Sequence, residues 1–120
     1  MNSYRDLLVW QKSKSFAVDI YKTTENFPKS EEYGLKSQLR RAGISMPSNV
    51  AEGYRRGTKE FIQFLKISFG SGAEVETQLE IALALGYLTE KQVQDLMLKL
   101  EEIMRMQNSL IRKLSNKSSK

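Results

Sequence analysis

Apolar residues recur at steps of three and four through most of the chain, which is the spacing of one face of an α-helix. In the first such segment, about Asp6 to Thr24, one line of positions carries the pattern, with Trp10 and Ala17 beside it. This line is Val9, Ser13, Phe16, Ile20 and Thr23. Because proline is disfavoured in a helix interior, the segment is expected to stop at Phe27-Pro28.

The second segment runs from about Ser30 to Arg56. Ser30 is a good N-cap, and the two acids that follow it suit the first turn of a helix. Its apolar line is Leu35, Leu39, Ala42, Met46, Asn49 and Gly53. Pro47 lies inside this stretch, so the helix is expected either to kink or to break into two pieces around Ile44 to Ser48.

The third segment, Thr58 to Leu85, has the longest regular line and ends at Gly86, a suitable C-terminal cap. The line is Phe61, Leu65, Ser68, Gly72, Val75, Leu79 and Ala82. Gly70-Ser71-Gly72 could form a loop, but the apolar phase continues across it. The pattern favours one long helix with a thin middle, where another backbone can approach closely.

The fourth segment opens with Thr89-Glu90-Lys91-Gln92, which has the form of a capping box. Its line is Val93, Leu96, Leu100, Ile103, Gln107, Leu110 and Leu114, and further apolar residues lie beside it: Met97, Met104, Ile111, Leu98 and Met106. This surplus of apolar surface predicts self-association. Residues 116–120 are polar and are expected to form a frayed tail.

Four helical segments joined by short connections predict an all-α, antiparallel up-down-up-down four-helix bundle. No segment alternates apolar and polar residues as a strand would. A chain of 120 residues can bury one core, so residues 1–120 are expected to form a single domain.

Composition excludes several kinds of chemistry. The chain contains neither cysteine nor histidine, which excludes disulfides, zinc sites of thiolate or imidazole, and histidine-assisted nucleophiles. Dinucleotide and P-loop motifs are also lacking. Glu76 and Glu80 have the spacing of paired carboxylate ligands, but di-iron bundles add histidines. We therefore expect no enzyme activity, no cofactor and no metal site.

The cellular location is predicted from two negative features. The N-terminus lacks the pattern of a signal peptide. The longest apolar run, Ile81 to Leu88, is too short to cross a bilayer. A cytoplasmic protein without a membrane partner is expected.

The net charge of +5 is unevenly distributed along the sequence. Basic residues outnumber acidic ones seven to three from Lys29 to Lys59 and five to none from Arg105 to Lys120, whereas acids predominate from Gly72 to Glu102. Such basic segments suit the binding of phosphates, although an ordinary solvated surface has the same composition.

The densest basic cluster is Arg55-Arg56, which follows Tyr54 and precedes Lys59 at a helix junction. An aromatic ring beside arginines can stack on a base while the guanidinium groups hold phosphate. The alternative is that the ring of Tyr54 covers the core. The predicted nucleic-acid-binding residues are Arg40, Arg41, Tyr54, Arg55, Arg56, Lys59, Arg112 and Lys113. The partner expected for them is RNA or DNA, bound with low specificity.

Glu76 is in line with Ile62, Phe69 and Leu83, at intervals of seven along the third helix. A carboxylate on an apolar line needs a partner if it is buried, and either Arg40 or Arg41 could form that ion pair. The alternative is that Glu76 lies past the edge of the core, in water.

Several motifs together resemble a known family. They are Asp6-Leu7-Leu8-Val9-Trp10-Gln11-Lys12, Ile20-Tyr21, Phe27-Pro28, Glu32-Tyr33-Gly34-Leu35, Gln38-Leu39-Arg40-Arg41-Ala42, Pro47-Ser48-Asn49-Val50-Ala51-Glu52-Gly53, Phe61 to Leu65, Gly70-Ser71 and Glu74-Val75-Glu76-Thr77-Gln78-Leu79. With them the chain resembles the bacterial four-helix-bundle proteins encoded in intervening sequences of large-subunit ribosomal RNA genes. The resemblance covers about Asp6 to Leu88, and the fourth helix matches only in character.

The family resembles, more distantly, the accessory variability protein of diversity-generating retroelements, a pentamer of such bundles that binds nucleic acid and a reverse transcriptase. The resemblance implies a four-helix bundle, a ring-like homopentamer and a nucleic-acid or ribonucleoprotein partner, with no established catalytic activity. Two functions are therefore weighed. One is a non-catalytic nucleic-acid-binding or ribonucleoprotein accessory protein that acts through a basic surface. The alternative is an oligomeric protein-interaction scaffold with no nucleic-acid role.

Overall fold

The computed structural model describes residues 3–118, with side chains through residue 117. These residues form four α-helices, which are α1 (Leu8–Thr23), α2 (Leu35–Tyr54), α3 (Thr58–Ala84) and α4 (Glu90–Ser118). Single 3-10 turns precede α1 at Tyr4–Asp6 and α2 at Lys29–Glu31. No strand occurs between residues 3 and 118. All four predicted helices and the all-α fold are confirmed. The predicted N-cap Ser30 is wrong, because Ser30 lies inside the Lys29–Glu31 turn and Gly34 is the residue that precedes α2.

The helices run alternately up and down along an elongated body of 50 × 21 × 20 Å. Each helix packs against its neighbours in sequence, most extensively α2 against α3, and α4 closes the bundle on α1. We call the end that holds the α2–α3 connection the hairpin end. The Tyr4–Asp6 turn and the last turns of α4 lie at this end too. The connections 24–34 and 85–89 lie at the far end.

The core forms along the apolar lines that the sequence predicts. Every position of the α3 line is buried, including the small residues Ser68 and Gly72, and the α4 line is buried as far as Gln107. The helix α4 continues to Ser118, so residues 116–118 are helical, and fraying of this end stays a prediction. Residues 119 and 120 lie outside the described residues.

Two predicted helix caps determine where α3 ends and where α4 begins. Gly86 adopts a positive φ of 78°, and the amide of Tyr87 donates back to the carbonyl of Ala82 at 2.9 Å, which closes the end of α3. At the start of α4, the amide of Thr89 donates to Oε1 of Gln92 at 2.9 Å and the amide of Gln92 donates to Oγ1 of Thr89 at 3.2 Å. The capping box is confirmed.

Neither Pro47 in α2 nor Gly70-Ser71-Gly72 in α3 interrupts its helix. Helix α2 continues through Pro47, so it does not break there. Side chains donate to carbonyls near the proline: Oγ of Ser68 to Met46 at 2.9 Å, and Nδ2 of Asn49 to Ser45 at 2.8 Å. Helix α3 continues through its glycines as predicted. A Cβ on Gly72 would lie 3.1 Å from Sδ of Met104, so the neighbour at Gly72 is a side chain of α4 and not the backbone of another helix.

Candidate nucleic-acid interface

The hairpin end presents three exposed cations within five residues. Arg55 and Arg56 follow the last residue of α2, and Lys59 lies in the first turn of α3. Gly57, between them, has a φ of 112°, a conformation that side-chain-bearing residues rarely adopt and that lets the chain reverse over a three-residue connection. The reversal leaves all three cationic side chains in solvent.

Tyr4 and Arg5, an aromatic and a basic residue in the N-terminal turn, lie beside this cluster. The guanidinium carbon of Arg55 lies 5.3 Å from the ring centroid of Tyr4, and that of Arg5 lies 4.9 Å from the same centroid. Tyr4 contacts Trp10 edge-on at 5.1 Å, and Nζ of Lys14 lies 5.5 Å from the Trp10 ring. The sequence predictions missed these residues, although the Tyr4-Arg5 doublet has the same form as Tyr54-Arg55.

Tyr54 does not supply the predicted stacking surface. Its half-buried ring packs edge-to-face on Phe61, with centroids 5.7 Å apart and planes at 88°. The alternative, in which Tyr54 covers the core, is the one that the structure supports. Arg56 is exposed but pairs with Glu52 at 2.8 Å, and its guanidinium carbon lies 5.2 Å from the ring centroid of Phe64.

Arg112 and Lys113 reach the same end along α4. Gln107 of α4 donates to Oγ of Ser68 in α3, which fixes the register of these antiparallel helices. Five residues further along α4, or about 7.5 Å, Arg112 lies roughly level with residue 63 of α3. Both cations are exposed, so α4 adds two basic side chains at about the level of the hairpin end.

Arg40 and Arg41 lie elsewhere, so the predicted set of cations is divided. Arg41 is 14 residues before Arg55 on α2, or about 21 Å away along the helix axis. Arg40 is half-buried: its Nε donates to Oγ1 of Thr24 at 2.9 Å, and its Nη2 donates to the carbonyl of Tyr21 at 3.0 Å. It thus satisfies a free carbonyl at the end of α1.

The predicted buried pair of Glu76 with Arg40 or Arg41 is wrong. Glu76 is exposed, and no ion pair among residues 3–117 includes it. The line that it shares with Phe69 and Leu83 lies at the core edge, where both apolar residues are only half-buried.

Because Glu76 is exposed, its substitution is expected to have little effect on stability. We expect Glu76→Ala to change the free energy of unfolding by less than ~0.5 kcal/mol. The matched control is Glu31→Ala, because Oε1 of Glu31 accepts the amide of Leu35 at 2.9 Å and caps α2. We expect that control to lose about 1 to 2 kcal/mol. Urea unfolding at one protein concentration compares them, and a loss above 2 kcal/mol for Glu76→Ala would restore a buried pair.

Neither a metal centre nor a membrane-spanning helix is found in the described part of the chain. Residues 3–118 contain no group of three or more carboxylates that could hold a metal ion. Over the same residues, no helix combines the length and the hydropathy needed to span a bilayer.

Comparison with known proteins adds a family and a fold. Residues 5–109 match the model of a family described as 23S rRNA-intervening sequence protein. A crystal structure of a protein of unknown function from the S23 ribosomal protein family, from Bacteroides thetaiotaomicron VPI-5482, is 30% identical in sequence. It superposes with a TM-score of 0.78 over 87% of this chain and 98% of that one. No curated protein matches the sequence.

Proposed function

This chain belongs to the 23S rRNA-intervening sequence protein family, and from that premise we propose that it is a non-catalytic RNA-binding accessory protein. Membership confirms the resemblance that the sequence motifs carry. The more distant resemblance to the accessory variability protein stays a prediction. A role beside RNA suits a family named for ribosomal RNA, and the proposed surface is the basic hairpin end.

The observation that carries the proposal is the convergence of cations at that end. Arg5, Arg55, Arg56, Lys59 and Arg112 come from four different parts of the chain, and all are exposed. The side chains of Tyr4 and Trp10 lie among them. A surface that combines cations with aromatic rings can grip phosphates and stack on unpaired bases at the same time.

The mode of binding that this surface supports is electrostatic and largely independent of sequence. Each cation that neutralises a phosphate releases a condensed counterion, so affinity falls as salt rises. Arg56 contributes less than a free arginine because Glu52 shares its charge. Arg55, which the described structure holds only over the ring of Tyr4, is available to phosphate.

We expect the double variant Arg55→Gln with Arg56→Gln to bind single-stranded RNA more weakly and with a shallower salt dependence. One full contact from Arg55 and a partial one from Arg56 reduce the slope of log affinity against log salt by about 0.7 to 1.4 for single strands. Fluorescence anisotropy with a labelled oligouridine, over a series of salt concentrations, measures this slope.

The matched control is Lys29→Gln with Lys91→Gln, which removes the same charge at the far end. Both lysines are exposed, and Lys91 has only a weak surface pair with Asp95. We expect the control to keep the wild-type slope. If both double variants change the slope equally, the protein responds to net charge and not to this surface. If wild type does not bind at low salt, the RNA-binding proposal fails.

The second candidate function is an oligomeric scaffold, and exposed apolar side chains on α3 favour it. Ile67, Ile81 and Leu85 are each about half exposed. On α4, the surplus that predicts self-association is smaller than expected, because Met97, Met104, Met106 and Ile111 pack partly against the core and only Leu98 stays largely exposed. Self-association and the homopentamer implied by the resemblance remain predictions. The scaffold function takes first place if RNA binding fails.

A further inference from the structure

A groove between α1 and α2, toward the far end, combines aromatic rings with cations. It is open to solvent and has a volume of about 420 Å³, which is large enough for one small ligand. Its walls include Tyr21, Tyr33, Lys36, Arg40, Arg41 and Ile44. None of these residues belongs to the hairpin end, so this is a separate site.

Tyr33 is the most exposed of the large hydrophobic residues that the structure describes. It lies two residues before α2 and is 96% exposed, and no described contact holds its ring. Tyr21, on α1, is 39% exposed and offers a second ring to the same groove. A tyrosine left in water displays a flat apolar face, which is what stacking on a base requires.

The cations of the groove divide into fixed and free ones. Arg40 is fixed by its hydrogen bonds to the end of α1, and its guanidinium carbon lies 4.3 Å from the ring centroid of Tyr21. Lys36 is held by Glu32 at 3.1 Å. Arg41 is exposed and forms no ion pair within the described residues. Arg41 is therefore the cation free to meet a phosphate.

We propose that this groove holds one unpaired nucleotide of single-stranded RNA, with its base against Tyr33 and its phosphate at Arg41. The inference rests on the proposed function, because the same strand would bind at both places. Arg41 and Ser48 on α2 and Arg55 directly after it recur at intervals of seven, and all three are exposed. They give the strand a path of about 21 Å from the groove to the hairpin end.

The lining favours a nucleotide over a protein segment. A protein anchor needs an apolar pocket, and here Ile44, at 43% exposure, is the one aliphatic wall residue. The rings and the guanidinium planes of Arg40 and Arg41 instead match planar, anionic ligands. Glu32 repels phosphate from the Lys36 side, which places the phosphate at Arg41.

Tyr33→Ala is expected to weaken binding of a single-stranded oligouridine by about tenfold, in the range that one stacked base supplies. Tyr33→Phe keeps the stacking face and is expected to bind like wild type. Neither variant is expected to alter binding of duplex RNA, whose bases are already stacked, or the salt slope of single-strand binding. Anisotropy measures both ligands, and photo-crosslinking of 4-thiouridine-substituted oligouridine is expected to label the peptide that contains Tyr33.

The outcomes separate this inference from the proposed function. If Tyr33→Ala binds single strands as wild type does, while the Arg55 and Arg56 double variant still loses salt slope, the groove site is wrong and the hairpin-end function stands. If Tyr33→Ala weakens duplex and single strands equally, stacking in the groove is overturned. If Tyr33→Ala changes the sedimentation coefficient without changing RNA affinity, the groove is a protein contact.

Discussion

Gly53→Ala is expected to destabilise the bundle by about 2 to 3 kcal/mol, more than any surface substitution in this chain. Gly53 is buried in the last turn of α2, where α3 passes closest. A Cβ at this position would lie 2.6 Å from Cβ of Phe64 and 3.2 Å from Cα of Phe61. Neither neighbour is the free end of a flexible side chain, so the helices themselves would have to move apart.

Gly70→Ala is the matched control, because the same substitution in α3 meets no atom within 4 Å. There the added methyl group only improves helix propensity, and a gain of about 0.5 to 1 kcal/mol is expected. Urea unfolding followed by circular dichroism, at one protein concentration, gives both values. If both substitutions change the free energy of unfolding in the same direction, α2 and α3 do not meet at Gly53 as described.

The second large effect is expected from the polar chain that crosses the core. Gln107 is fully buried in α4 and donates to Oγ of Ser68 in α3, which in turn donates to the carbonyl of Met46 in α2. Ser68→Ala leaves the buried amide of Gln107 without its acceptor. A loss of about 2 to 3 kcal/mol is expected, since an unsatisfied buried donor carries its whole desolvation penalty.

Adding Gln107→Leu to Ser68→Ala removes the side-chain amide that lacks an acceptor and keeps a side chain of similar volume. The double variant is therefore expected to be more stable than Ser68→Ala alone by about 1 kcal/mol or more. Oε1 of Gln107 already lacks a protein partner, which strengthens this expectation. A double-mutant cycle by chemical denaturation measures the coupling, and strictly additive losses would show that the two side chains do not interact.

The helices and the core could be predicted from the sequence because both depend on local chemistry. The period of apolar positions identifies the buried face even where a member is small or polar, as with Ser13 and Gln107. Helix ends depend on a few neighbouring residues, and Gly86 and the Thr89 capping box are therefore readable. The effect of Pro47 could not be decided in this way, because local chemistry allows a kink, a break or a continuous helix, and α2 in fact continues through it.

The candidate site could be predicted where basic residues accumulate along the sequence. Arg55, Arg56 and Lys59 form one run, and Arg112 and Lys113 belong to the basic segment that begins at Arg105. The contact of Tyr4 with Arg55 joins residues far apart in the chain, and only the packing of α1 beside α2 creates it. Arg40 was misplaced because its partners, Thr24 and the carbonyl of Tyr21, belong to the end of a different helix.

Gly57 and its three-residue connection also bear on how the bundle folds. Closing so short a loop costs little chain entropy, and α2 and α3 are the most extensively packed pair, so we expect this helical hairpin to form first and α1 and α4 to dock on it later. Tyr4 and Arg5 precede α1, and Arg112 lies on α4. The complete basic surface is therefore expected only in the native state. A partly folded chain in which only α2 and α3 have packed would present Arg55, Arg56 and Lys59 without the other cations.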